Sequence, residues 1–220
     1  MTQTMTATRA DAPFDEELQT RSDRPVPGDV QQQLASRIWN GAPVILTEGG
    51  SRVAIRTDEE SAAYVGVDIV CGERAAAPES GHAARAVVEL SRALGGVTMR
   101  ALLGAEFSPD PRGAVTVFEI PFGESAGLGA VTGCGSELGP PLVAGLPSDF
   151  AAAALDGLAG DTGVAALAAG LLRVDRAGFD EVGSSEMAFK LAGRLLRCVV
   201  DALLRGRDPY NAVRAAVGAW

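Results

Sequence analysis

The sequence predicts an α+β protein, and three observations lead there. Short β-type runs punctuated by glycine and proline turns follow one another from Ala42 to Phe122. One long apolar stripe at helical spacing, Ser184 to Arg205, dominates the last third. Between Val97 and Arg205 the elements read strand, strand, strand, helix, strand, helix. A hydrophobic share of 47% with 21% charged residues is enough for a packed core and excludes disorder of the whole chain.

Residues 1–41 are polar and without sustained period, and read as a mostly flexible N-terminal tail. Within it, Asp29 could cap a short helix over Gln31–Trp39, with Trp39 as an anchor. Residues 42–96 form a β-β-β-α portion of uncertain relation to the rest. Val44-Ile45-Leu46 and Val53-Ala54-Ile55 flank Gly49-Gly50, a hairpin signal. Tyr64 to Cys71 alternates apolar with small or polar residues. Ser80 to Leu94 shows helical spacing, with Ser80 as N-cap and Gly95-Gly96 as the stop.

Residues 97–220 carry the rest. Val97–Phe107 and Val115–Phe122 are strands joined by the turn-forming run Ser108 to Gly113. Ala130–Glu137 is a weaker, glycine-bearing strand. Asp149–Leu158 is a helix opened by Pro147-Ser148. Val164–Val174 reads as a strand, although its alanine-rich stretch fits a helix equally well, and Asp175–Gly183 as a turn. The best element follows: Met187, Leu191, Leu195, Cys198, Val199 and Ala202 form one stripe, Ser184 is the expected N-cap, and Gly206 sits just past the end. A last short helix over Tyr210–Val217 follows Pro209.

Charge narrows the partners. Asp and Glu number 28 against 19 Lys and Arg, a formal charge of −9. Nucleic acid is therefore an unlikely partner except through a local basic face. Lys190 is the only lysine. Cys71, Cys134 and Cys198 form no C-x-x-C pair and read as small buried hydrophobes, and the single histidine, His82, reads as a surface residue. No metal and no cofactor is expected. The N-terminus has no apolar core of signal-peptide length and no stretch reaches membrane-spanning length, so a cytoplasmic protein without a membrane partner is expected.

One run is more specific. Val182-Gly183-Ser184-Ser185-Glu186-Met187-Ala188-Phe189-Lys190-Leu191-Ala192 resembles the V-D-S-S-E-[LM]-A-F-K-[IL]-A run that opens the last helix of domain IV of bacterial elongation factor G. Only Gly183 departs. Leu146-Pro147-Ser148-Asp149-Phe150, followed by Ala153, Gly157 and Leu158, is similar to the run that starts the family's preceding helix. Val115 to Pro121 is a weaker match to a strand beside the glycine-rich tip loop. The resemblance covers roughly 97–205. It implies a two-layer sandwich of the ribosomal protein S5 domain 2-like type, β-β-β-α-β-α, with the N-terminal half as an elaboration or a degenerate duplication.

The resemblance does not extend to the GTPase. No G-x-x-x-x-G-K-[ST] loop exists to hold phosphates. The family's two tip loops correspond to Ser108–Gly113 and Asp175–Asp180. The first keeps Arg112 and Gly113; the second has gained acids and has no histidine. The expectation is a non-enzymatic binding or regulatory module, acting at the ribosome or on a translation factor. Arg112, Arg176, Phe179 and Asp180 are the candidate partner contacts, and no catalytic residue is assigned. The apolar fraction and Trp220 suggest a homodimer. Two alternatives stay open: a small cytosolic enzyme on the same fold, using His82, Cys134 or paired acids, and a structural subunit of a larger assembly. Asp58-Glu59-Glu60 and Asp180-Glu181 read as solvated turns rather than cation sites. The glycine-rich stretch Gly123–Gly139 reads as a connection.

Overall fold

The computed structural model describes residues 43–57, 62–79, 81–123, 133–161 and 163–220. The N-terminal tail with its expected helix at Gln31–Trp39, the acids Asp58, Glu59 and Glu60, and most of the glycine-rich stretch lie outside these.

Among the described residues, nine strands make one sheet. In chain order they are β1 (Val44–Glu48), β2 (Ser51–Arg56), β3 (Asp68–Ala75), β4 (Ala84–Leu94), β5 (Val97–Pro109), β6 (Val115–Phe122), β7 (Gly133–Cys134), β8 (Leu142–Ala144) and β9 (Gly170–Phe179). Three helices accompany them: α1 (Ser148–Ala159), α2 (Glu186–Leu204) and α3 (Pro209–Gly218). The spatial order is β1-β2-β4-β5-β9-β6-β3. All these neighbours are antiparallel except β6 and β9. Past the point where β6 leaves it, the same edge of β9 pairs with β8, which carries β7.

Two glycine pairs turn the hairpins. Gly49 and Gly50 have φ of 56° and 76°, and Gly95 and Gly96 have 60° and 83°. Left-handed φ at both central positions defines the tight turn whose twist suits a hairpin. The first pair joins β1 to β2 as the sequence predicts. The second joins β4 to β5, and this overturns the expected helix at Ser80–Leu94. The reason is burial on both faces. Five consecutive residues, Ala86 to Leu90, are buried. Val88 and Leu90 enter the main core, whereas Val87 enters a second cluster with Ala62, Leu102, Cys134, Leu142 and Ala144. A strand covered on both sides loses its alternation and imitates a helix. The boundary drawn between residues 96 and 97 thus falls inside a hairpin turn.

Other boundaries shift. β9 begins at Gly170 and runs through Asp175–Phe179, which were expected to be a turn; the turn itself is 180–185. Of the expected strand Ala130–Glu137, residues 130–132 lie outside the described residues, and among the rest only the two residues of β7 are strand. β5, β6, α1 and α2 lie where the sequence puts them, and α3 is extended by one residue at each end. Among the described residues, no helix is long and apolar enough to cross a membrane.

The helices pack on one face of the sheet, around Val88, Leu90, Leu103, Phe107, Phe118 and Ile120. α1 and α2 meet at glycines. A Cβ on Gly157 would lie 2.1 Å from the Lys190 carbonyl oxygen, and one on Gly193 would lie 2.5 Å from that of Ala154. The C-terminus of α1 has no basic residue of its own. Its carbonyls are met instead by the fully buried Arg197, which donates to Leu158 (2.9 Å), Gly160 (3.0 Å) and Val164, and by Arg74, which donates to Ala159 (3.0 Å) and Gly160.

Candidate functional site

The run that carries the family resemblance builds a closed turn. Asp180 Oδ1 accepts from the backbone N–H of Val182 (3.0 Å) and Gly183 (2.8 Å). Those two backbone hydrogen bonds, helped by the Arg100 guanidinium, hold its carboxyl below the usual carboxylate range. Ser184 Oγ accepts from Asp180 N (2.8 Å) and donates to the Arg100 carbonyl (2.7 Å). Ser184 is therefore a staple of the turn, and the helix cap passes to Ser185, whose Oγ accepts from Ala188 N at 3.2 Å. Glu186 sits in the first turn, where the helix dipole favours an acid. The turn displays Val182, 92% exposed, and the first turn of α2 displays Met187, 53% exposed. Met187 was expected to pack on the sheet; Phe189 is the one that does.

Arg100 ties this turn to the sheet face away from the helices. Its Nη1 reaches Asp180 Oδ2 at 3.1 Å, and its Nη2 donates to Ser136 Oγ (2.8 Å) and the Pro140 carbonyl (2.7 Å). The same Nη2 lies 3.5 Å from Glu89, itself almost completely buried. Glu89 also accepts from Ser136 Oγ and from Glu137 N (2.9 Å). Arg52 donates to the Leu138 carbonyl (3.1 Å), and Arg56 pairs with Glu137 at 3.4 Å. Segment 136–140 is thereby clamped over the sheet by side chains of β2, β4 and β5.

Farther along the same face lies a second charged group. Gly104 faces Arg176 while Ala105 faces Val174, so Asp175 is the extra residue of a β-bulge. Its carboxylate pairs with Arg176 (2.7 Å) and Arg85 (3.2 Å), and Arg85 also pairs with Glu106 (3.1 Å). Tyr64 donates to the carbonyl of Pro121 in β6 at 2.5 Å. Burial, and then the Asp175 charge, push its phenol far above its ordinary range.

The four expected contact residues do not form one tip. Arg112 is exposed in the β5–β6 turn, where Asp110 N donates to the Ala169 carbonyl beside the start of β9. Asp180 follows the other end of β9. Ten strand residues separate the two ends, roughly 30 Å at strand rise. Arg176 is buried on the bulge, so it is a sheet residue and not a loop contact. Phe179 is half-buried. Its ring meets Phe150 edge-on at 6.3 Å, and Phe150 stacks on Phe189 at 4.8 Å, so it locks β9 to both helices. Only Phe179 and Asp180 remain neighbours.

The candidate reactive groups are dispersed. His82 is exposed, as expected. Cys134 and Cys198 are buried, and burial pushes the Cys198 thiol up to about 11. Cys71 was expected inside and is exposed, because β3 is an edge strand. Among the described residues, no group of three or more His, Cys, Asp and Glu is placed to hold a metal ion. Sequence reasoning missed Glu89, Arg100 and Ser136. The only signal for them was a polar residue inside each of two apolar strands.

No protein-family model matches the chain, and neither a curated protein nor a solved structure matches it.

Proposed function

We propose that the protein is a non-catalytic binding module with a fold of the elongation factor G domain IV kind, directed at the ribosome or a translation factor and without GTPase activity. The observation that carries this reading is the turn before α2. An internally hydrogen-bonded turn holds Val182 out to solvent, and Met187 is exposed beside it in the first turn of α2, at the head of the motif that resembles the family. Exposed apolar side chains on pre-ordered backbone suit recognition, because little ordering remains to be done on binding.

The strand arrangement agrees with it. β4, β5 and β6 precede α1, β9 and α2, and β9 lies between β5 and β6. With β7 and β8 set aside, that order supports a β-β-β-α-β-α sandwich of the ribosomal protein S5 domain 2-like type, its three leading strands taken as β4, β5 and β6 in place of β5, β6 and Ala130–Glu137. β1, β2 and β3 are then additions at the two edges.

Co-sedimentation of the full chain with intact ribosomes, at low and at physiological salt, tests the reading. Pelleting that persists at physiological salt is expected. Val182→Glu and Met187→Glu should abolish it without moving the melting temperature, whereas Arg112→Ala at the far end of β9 should leave it unchanged. Absence of pelleting at low salt, or pelleting indifferent to both substitutions, would overturn the reading.

A further inference from the structure

We infer that β3 is a dimerisation edge, pairing antiparallel with β3 of a second copy of this chain about a two-fold axis centred on Cys71. This inference does not rest on the ribosomal reading.

The two edges of the sheet differ. β1 is five residues long, with Val44 and Leu46 buried and Glu48 tied to Arg214 of α3 at 3.3 Å. β3 is eight residues long and pairs only with β6 among the described residues. The chain leading into it carries Val65 at 96% and Val67 at 82% exposure, and Ile69 within it is 51% exposed. Neither proline nor lysine blocks it. A long open edge with exposed aliphatic residues is a template for another strand, which proteins normally guard against.

The charges on β3 choose the occupant. Two copies of one strand pair antiparallel by matching residues at equal distances from the axis. Asp68 and Arg74 are equidistant from Cys71, so this register sets Asp68 against Arg74 of the second copy twice over. Both residues lie on the helix-covered side. Gly72 marks that side, since a Cβ there would meet Leu155 of α1 at 3.0 Å. Moving the axis a full residue either way leaves both charges facing uncharged residues. The strand is thus self-complementary in one register. A two-fold pairing also closes on itself, giving a dimer and not a filament.

The same register places the exposed Cys71 directly opposite its symmetry mate on the open side. Cα atoms opposed in antiparallel strands are roughly 4.5–5.5 Å apart, within disulfide reach.

The test is light scattering and sedimentation equilibrium on the full chain. A dimer is expected, with Asp68→Arg, set against Arg74, and Ile69→Glu, set against Glu73, each raising its dissociation constant at least about tenfold. Asp68→Arg combined with Arg74→Asp should restore the dimer, because the pair is only reversed. Arg74 also serves α1, so circular-dichroism melts must show that each variant is folded. The wild-type protein supplies an independent reading. Treatment with diamide, which takes two protons and two electrons from two thiols, should give a dimer on non-reducing gels that Cys71→Ser lacks. A monomer at every concentration would overturn the inference. So would a dimer unmoved by both single substitutions and not cross-linked through Cys71.

Discussion

The two faces of the sheet are built on different principles. The helix-covered face is apolar and closely fitted, and α1 and α2 approach until only glycine fits at Gly157 and Gly193. The open face is crossed by segments with little regular structure. Arg52, Arg56, Arg100 and Glu89 hold segment 136–140 there, and within the sheet Arg85 pairs with Glu106 and Asp175 and Arg176 with Asp175, with a small apolar cluster beneath. Burying apolar area supplies net stability in proportion to the area removed from water. Buried ion pairs roughly offset their own desolvation, yet losing one partner is costly. The helix face therefore provides most of the folding free energy. The open face fixes where the loops sit, and it reaches the Asp180 turn through Arg100.

The sharpest way to break this division is Glu89→Ala. It removes the carboxylate that receives Ser136 and Glu137 and faces Arg100 at the bottom of the network. A loss of about 3–5 kcal/mol is expected from stranding a buried charge. Urea unfolding checks it. Glu89→Gln should recover part of that loss, since an amide still accepts from the Glu137 N–H; a loss below about 1 kcal/mol would remove the network from the account of the fold. Next comes Gly157→Ala on the other face. The added methyl has no rotamer to escape into, because what it meets is the backbone of α2. Forced separation of the helices should cost about 1–3 kcal/mol. It should leave pelleting with ribosomes intact, whereas Glu89→Ala should weaken it by loosening the turn.

How much of this could be read in advance follows the same line between the faces. Helices α1 and α2 and strand β6 were legible because each has one dry side, so spacing and capping chemistry point one way. β4 was not. Its residues Ala86 to Leu90 are dry on both sides, and the pair Gly95-Gly96 that ends it serves helix stops and hairpins alike. The same dipeptide at Gly49-Gly50 was read correctly only because clear β-type runs flank it. β9 was misplaced for a related reason. Asp175 and Arg176 look like loop residues, and only the bulge and the partner Arg85, distant in sequence, make them sheet residues. Of the candidate site, the turn at Asp180 was legible from its motif. Its connection through Arg100 to Ser136 and Glu89 was not, because long-range polar partners leave no periodic trace.

The gentlest probe lies where the two faces meet. Asp180 receives two backbone N–H groups and Arg100, and its folded pKa is lowered accordingly. A carboxylate whose pKa falls on folding contributes stability at pH values above the unfolded pKa of about 3.9, and that contribution disappears as pH drops through the folded value. The melting temperature of the wild-type chain should therefore fall below about pH 4 by more than that of Asp180→Asn. At pH 7 the variant should be only slightly less stable, because the group is partly exposed and Arg100 keeps Ser136, Pro140 and Glu89. Hydrogen exchange at the Val182 and Gly183 amides separates the remaining possibilities. If they open faster in Asp180→Asn while β9 stays protected, the carboxylate orders the turn alone. If β9 opens with them, the turn and the open face are one cooperative unit, and the exposed Val182 is held in place by the whole network behind it.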